Sequence, residues 1–212
     1  MTLRFALLPG LATAALLAAS AAMAQDSGAA PAQAPADAPA QSQPAAPQPY
    51  VAATHGDWQI ICPPQEAQGP TGACEMYQLL NDSQGSPTAE ISIAALPLGA
   101  EFSAGATITT PLETFLPAGL AWYTGDRPAD DQIRVEPFRV CSVVGCLIRM
   151  GLSADEVDAM KAGSTSTILI RPFVAVDQEV AINVSLSGFT AAFDDLQTRL
   201  SNAAAAQRTQ SN

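Results

Sequence analysis

The 212-residue chain carries 20 Asp and Glu against 9 Lys and Arg, a formal net charge of −11 at neutral pH. So acidic a surface repels phosphate backbones and anionic headgroups, which argues against nucleic acid or a membrane face as the main partner and leaves a cationic one open. A single histidine, His55, leaves little room for imidazole chemistry.

Residues 1–24, MTLRFALLPGLATAALLAASAAMA, combine Arg4, an apolar run from Phe5 to Ala19, and the small residues Ala22 and Ala24 around Met23. This is the pattern of a secretory signal peptide cleaved between Ala24 and Gln25. Its apolar core is short and broken by Pro9-Gly10, unlike a retained anchor. No later run reaches the ~18 apolar residues of a spanning helix, so no integral membrane segment is expected after cleavage. Residues 25–53 are rich in Pro and Ala and lack Leu, Ile and Phe. With too little apolar surface to offset their ordering entropy, they read as an extended, disordered linker.

Residues 54–200 suffice for one domain with its own core. Between Asp57 and Ser187, short stretches of period two are broken by Gly, Pro, Asn and Asp, the rhythm of all-β domains. DWQIIC, CEMYQLL, AEISIAAL, GATITT, QIRVEPF and CLIRM read as strands, and ETFLPAGLAWY as a buried strand bent at Pro117. TILIRPF and EVAINVSLS, joined by VAVDQ, read as a hairpin in which Val180, Ile182, Val184 and Leu186 share one face. The expected fold class is an all-β, antiparallel β-sandwich.

Two short helices interrupt it. Over about 153–162, Ser153 and Glu156 stand as a capping box, Leu152 and Val157 as a hydrophobic staple, with Lys161 in the last turn and Gly163 at the end. Over about 189–200, Phe189, Phe193, Leu196 and Leu200 recur at helical spacing, a stripe suited to closing an open end of the sandwich. Residues 201–212 have nothing to bury and are expected to fray.

Four cysteines in an exported protein imply disulfides, with three connectivities open. Cys62 shares strand parity with Trp58 and Ile60, and Cys74 with Met76 and Leu80, which favours Cys62–Cys74 across the loop PPQEAQGPTGA. The short run CSVVGC favours Cys141–Cys146. By chain entropy the two closures are worth about 3 and about 2 kcal/mol. A reactive dithiol fits CSVVGC less well, because four residues separate the sulfurs and the flanks are strand-like. The paired spacing of a zinc site is missing.

No catalytic constellation emerges. His55 lies where linker meets domain and reads as an exposed edge residue, and no G-x-S-x-G, P-loop or H-E-x-x-H run is present. Asp126, Asp130 and Asp131 in TGDRPADD read as a solvated acidic loop without the calcium-loop pattern. Trp58, Trp122 and Tyr123 are candidate surface or groove aromatics, with core packing as the competing reading.

The series GDWQIIC, CEMYQ, ALPLGAEFSAGATI, PFRVCSVVGC, DEVDAMKAG and NVSLSGFTAAFDDL resembles the invasion-associated locus B (IalB) family of alphaproteobacterial exported proteins over nearly the whole domain. It departs from the family at TGDRPADDQIRVEPF, where a more basic, lysine-bearing segment is usual, so a pathogen relative's partner does not carry over. The resemblance implies a β-sandwich in the periplasm or cell envelope, or at the outer surface, with no enzymatic activity and no cofactor. It also implies an association with host-cell invasion in pathogenic relatives. The function expected is a non-catalytic, disulfide-stapled interaction module for an envelope or host protein. The alternative is a carboxylate-pair hydrolase acting on cell-wall or surface polysaccharide.

Overall fold

A computed structural model describes residues 48–64, 74–82 and 85–210. The signal peptide expected at 1–24, its expected Ala24–Gln25 cleavage point, the expected linker up to residue 47, and residues 65–73, 83–84 and 211–212 lie outside the described residues.

Two antiparallel sheets enclose the core. The first runs, in spatial order, β1 (Tyr50–His55), β2 (Trp58–Cys62), β3 (Glu75–Asn81), β4 (Pro87–Ala95), β5 (Ala104–Thr110), β9 (Gly145–Leu152) and β8 (Val140–Ser142). The second runs β11 (Val180–Ser185), β10 (Thr165–Ile170), β6 (Leu120–Thr124) and β7 (Arg134–Glu136). Period-two sequence decides which side chains meet between them. From the first sheet Ile60, Met76, Leu80, Ile91, Ile93, Ile108 and Ile148 are buried, and from the second Leu120, Trp122, Ile168, Ile182 and Val184. The expected hairpin forms as β10 and β11, with Ile168 opposite Ile182.

Helix α1 (Ala154–Ala162) begins as its sequence dictates. The Ser153 hydroxyl accepts from Glu156 N–H, while Glu156 Oε2 accepts from Ser153 N–H at 2.8 Å. Leu152 and Val157, the staple pair, are both buried. Lys161 does more than complement the helix dipole. Its Nζ lies 2.8 Å from Asp194 Oδ1 and 5.0 Å from the centre of the Phe193 ring, which ties α1 to the second helix, α2 (Phe189–Gln210).

α2 buries Phe189, Ala192, Phe193 and Leu196. Phe189 and Trp58 meet in a T-shaped contact, ring centroids 5.6 Å apart. The meeting of hairpin and helix depends on two glycines. Gly56 (φ +57°) and Gly188 (φ +81°) lie so close that a Cβ on the first would strike the Ser187 carbonyl and on the second the His55 carbonyl. Asp57 N–H donates to Ser187 O across this crossing, at 3.1 Å.

Three boundaries differ from the sequence reading. ETFLPAGLAWY is not one bent strand: Leu116–Ala118 forms a 3-10 turn with no buried residue, and only Leu120–Thr124 is strand, β6. The segment 25–53 is not linker to its end, because Tyr50–His55 pairs with β2 as strand β1. Pairing with an amphipathic neighbour, across an irregularity between Val51 and Ala53, supplies the hydrogen bonds that the local composition does not advertise. Nor does the chain fray after Leu200, since α2 continues to Gln210. Residues 203–206 are four alanines, the best helix formers, and extending a helix that packing has already nucleated is far easier than starting one.

Two carboxylates give the domain an acid dependence. Burial opposes ionisation of Asp195, but hydrogen bonds from Arg199 and His55 together outweigh it and hold the carboxyl below its usual range. Burial likewise opposes ionisation of Glu156, and the Ser153 backbone and Arg134 bonds outweigh it there. A folded-state pKa below the unfolded one contributes stability that is present above the unfolded value and lost as pH falls through the folded one. Stability is therefore expected to hold down to about pH 5 and to decline below about pH 4. Asp195→Asn and Glu156→Gln, each costing of order 1 kcal/mol at neutral pH, should lose less than the parent on acidification. Urea midpoints at pH 7 and pH 3 measure this.

Candidate functional site

The run CSVVGC folds as the tip of the β8–β9 hairpin, with Ser142 opposite Gly145 and Cys141 opposite Cys146. Only Val143 and Val144 occupy the turn. Two-residue hairpin loops favour Asn-Gly or Gly-X, whose backbones adopt the required twist without strain. Here both places hold β-branched apolar residues, and both side chains stand in solvent: Val143 is 96% exposed and Val144 74%. A local rule broken without any gain in packing is the kind of place where a function resides.

The tip is held firmly. Cys141 and Cys146 are disulfide-bonded, as are Cys62 and Cys74. The Cys141–Cys146 bond closes the hairpin immediately behind the turn. Cys146 itself is buried, and its carbonyl accepts from the Thr110 hydroxyl at 3.3 Å. The Thr114 hydroxyl donates to Pro111 O at 2.7 Å. Gly145 (φ +143°) admits this close approach, since a Cβ there would run into the Thr110 carbonyl and the Thr109 methyl.

More apolar residues share this end of the sandwich. Thr114 bridges to Pro172, and Phe173 N–H donates to Glu113 O at 2.6 Å, which brings the chain after β5 against the chain after β10. Leu112, Phe173 and Val174 project there, more than half exposed, and Val140 stands out from β8. Beside Val144 a shallow cavity of about 350 Å³ is lined by Leu79, Pro87, Ala89, Thr109 and Pro111. Isolated exposed apolar side chains need no explanation, but several on adjoining loops at one end mark an interaction surface.

The other candidates fall elsewhere. Trp58 and Trp122 do not line a groove: they are 0% and 4% exposed, on the inward parity of β2 and β6. Trp58 donates from Nε1 to Ser185 O at 2.9 Å. Tyr123, half-buried, sits opposite Thr167 on the other parity, away from both tryptophans. His55 is not a free edge residue. It ends β1, and its Nε2 lies 3.0 Å from Asp195 Oδ2 on α2, with Arg199 completing the group through Asp195.

In the acidic loop, Asp130 pairs with Arg127, which also pairs with Glu179. Asp126 and Asp131 are exposed. Among the described residues no group of three or more His, Cys, Asp or Glu is placed to hold a metal ion, and no helix is long and apolar enough to cross a membrane. No feature of the described carboxylates favours the hydrolase alternative.

The sequence reading took CSVVGC as a staple and passed over the two valines it presents. The signal was available in the contrast between Val-Val and the residues such a turn prefers.

Comparison with known proteins bears on the whole domain. The family model described as "Invasion associated locus B (IalB) protein" matches residues 58–197. Two Brucella abortus proteins named Invasion protein B homologs, from strain 2308 and from biovar 1 strain 9-941, are each 26% identical over 156 residues, which cover 68% of this chain and 78% of theirs. The crystal structure of invasion associated protein B from Bartonella henselae superposes with a TM-score of 0.55 at 20% identity, over 68% of this chain and 94% of that one. At that identity the likeness shows a shared fold.

Proposed function

Since the chain belongs to the invasion associated locus B family, we propose that it acts as an exported, non-catalytic module of the cell envelope that docks a protein through its stapled apolar end. The observation that carries this reading is the Val143-Val144 turn, apolar, solvent-exposed and covalently braced, with Leu112, Phe173 and Val174 exposed on the loops at the same end of the sandwich. Apolar anchors on a rigid support bind at a low entropy cost, because little has to be ordered on contact. Two disulfides suit an oxidising compartment, in keeping with the signal peptide read at residues 1–24. The formal charge of −11 favours a partner whose rim is cationic, since complementary fields speed encounter and select against acidic competitors. The invasion in the relatives' names is a role this envelope module would share where its host is a pathogen.

A photoreactive side chain in place of Val143, introduced in the producing cell, tests the reading. One discrete protein adduct is expected, and Phe173→Asp should reduce its yield at least tenfold, on the order of 1.4 kcal/mol. An isolated protein throughout, or an adduct indifferent to Phe173→Asp, would contradict it.

A further inference from the structure

The edge of the smaller sheet offers a second contact. β11 is the outermost strand there, and its register fixes the direction of its peptide groups. Leu186 N–H bonds to Ser164 O at 3.1 Å, so groups of that parity face β10. Ser185 faces the opposite way. Its N–H donates to Gln78 Oε1 at 2.9 Å, and its carbonyl accepts from Gln78 Nε2 at 3.0 Å and from Trp58 Nε1. The Gln78 side chain, only 6% exposed, thus gives Ser185 the donor and acceptor pair that a neighbouring strand's peptide would give.

The substitution stops there. Two and four residues back along the strand, Asn183 and Ala181 direct their N–H and C=O the same way, because peptide orientation repeats every second residue. Among the described residues nothing pairs with them. Beside this edge lies an open cavity of about 610 Å³, with Asn81, Tyr77 and Leu79 of β3 on one side and Asn183, Ser185 and Thr165 on the other. It exists because β2 pairs with β3 only as far as Gln59↔Tyr77, leaving Gln78–Asn81 without a strand on that side. An unpaired strand edge beside an open trough has the form of a site for strand addition.

We infer that this slot receives an extended, basic segment of the protein partner as an added strand on β11, hydrogen-bonded at Asn183 and Ala181. Four residues or so fit, at ~3.4 Å each, before Gln78 and Trp58 close the edge. A proline at a pairing position is excluded for want of an N–H. The basic character follows from the wall. Asp57, whose Oδ2 accepts from the Ser185 hydroxyl at 2.6 Å, is the one acidic or basic side chain among the described residues that line it, and the chain as a whole is strongly acidic. The remaining lining, Gln59, Asn81, Asn183 and Thr165, suits peptide and short polar side chains.

The inference rests on the proposed function, in that the partner is a protein, and adds to it a contact separate from the apolar end. A photoreactive side chain at Asn81 of the full chain, in the producing cell, tests it beside the one at Val143. The expected result is an Asn81 adduct whose partner peptide, read by mass spectrometry, carries Lys or Arg and no proline at the joined stretch. Ala181→Pro, which removes an outward N–H and leaves the β10 ladder intact, should cut its yield at least tenfold while the Val143 adduct persists. Asn183→Lys, which sets a cation against a basic segment without touching the backbone, should do the same and guards against misfolding of the proline variant. No Asn81 adduct where the Val143 adduct forms, an adduct to saccharide, or one indifferent to both substitutions would overturn the inference and leave the proposed function standing. Absence of both adducts would overturn the proposed function itself.

Discussion

Replacing Trp58 with alanine is expected to remove about 3–5 kcal/mol of stability, the range for deleting a large aromatic from a packed core. Its ring, fully buried, makes a T-shaped contact with Phe189 at 5.6 Å, and its indole N–H reaches across to Ser185 O at 2.9 Å. One residue thereby joins β2, β11 and α2. Where the whole domain is stable by ~5–15 kcal/mol, that loss brings a folded protein to the brink. Trp58→Phe keeps an aromatic ring against Phe189 but gives up the N–H and the volume of the indole's five-membered ring; because Gln78 still donates to Ser185 O, the cavity dominates and the cost should be about 1–3 kcal/mol, less than for alanine. Urea unfolding with an unchanged m-value measures both. An alanine variant within ~1 kcal/mol of the parent would mean that the three elements are not coupled through this ring.

The second large effect belongs to Cys62 and Cys74. Changing both to alanine should cost about 3 kcal/mol, the chain entropy that closing this loop withholds from the unfolded state. Cys62 is 1% exposed, so alanine is preferable to serine, which would bury a hydroxyl. The same change at Cys141 and Cys146 should cost about 2 kcal/mol. That second pair also carries a functional consequence, since the apolar tip would lose its brace and pay for ordering on contact. A double alanine variant of Cys62 and Cys74 as stable as the parent would show that the loop is already restrained without the bond.

How legible these features were depends on the range of the forces behind them. Strand alternation is local, and β4, β9 and β11 lie where period two puts them. The capping box of α1 is local as well, and Ser153 and Glu156 bond as their spacing requires. What escaped depends on neighbours distant in sequence. Strand β1 exists because β2 is there to pair with it, and its lead-in from a Pro/Ala stretch gave little warning. His55 looked free because Asp195, its partner, is 140 residues away. The slot beside β11 could not be foreseen, because it arises from where β2 stops along β3 and from a glutamine side chain acting as backbone. The Val143-Val144 turn could have been caught, since it violates a short-range preference that needs no structure to state.

The central claim is that two covalent closures hold a sandwich rigid and keep one apolar turn presented to solvent. Peptide mapping of the protein from the producing cell, without reduction and with free thiols capped at lysis, tests this most directly. The account predicts two linked peptides, one joining Cys62 to Cys74 and one joining Cys141 to Cys146, with no capped thiol. Capped cysteine at all four positions, or links that cross between the pairs, would contradict it.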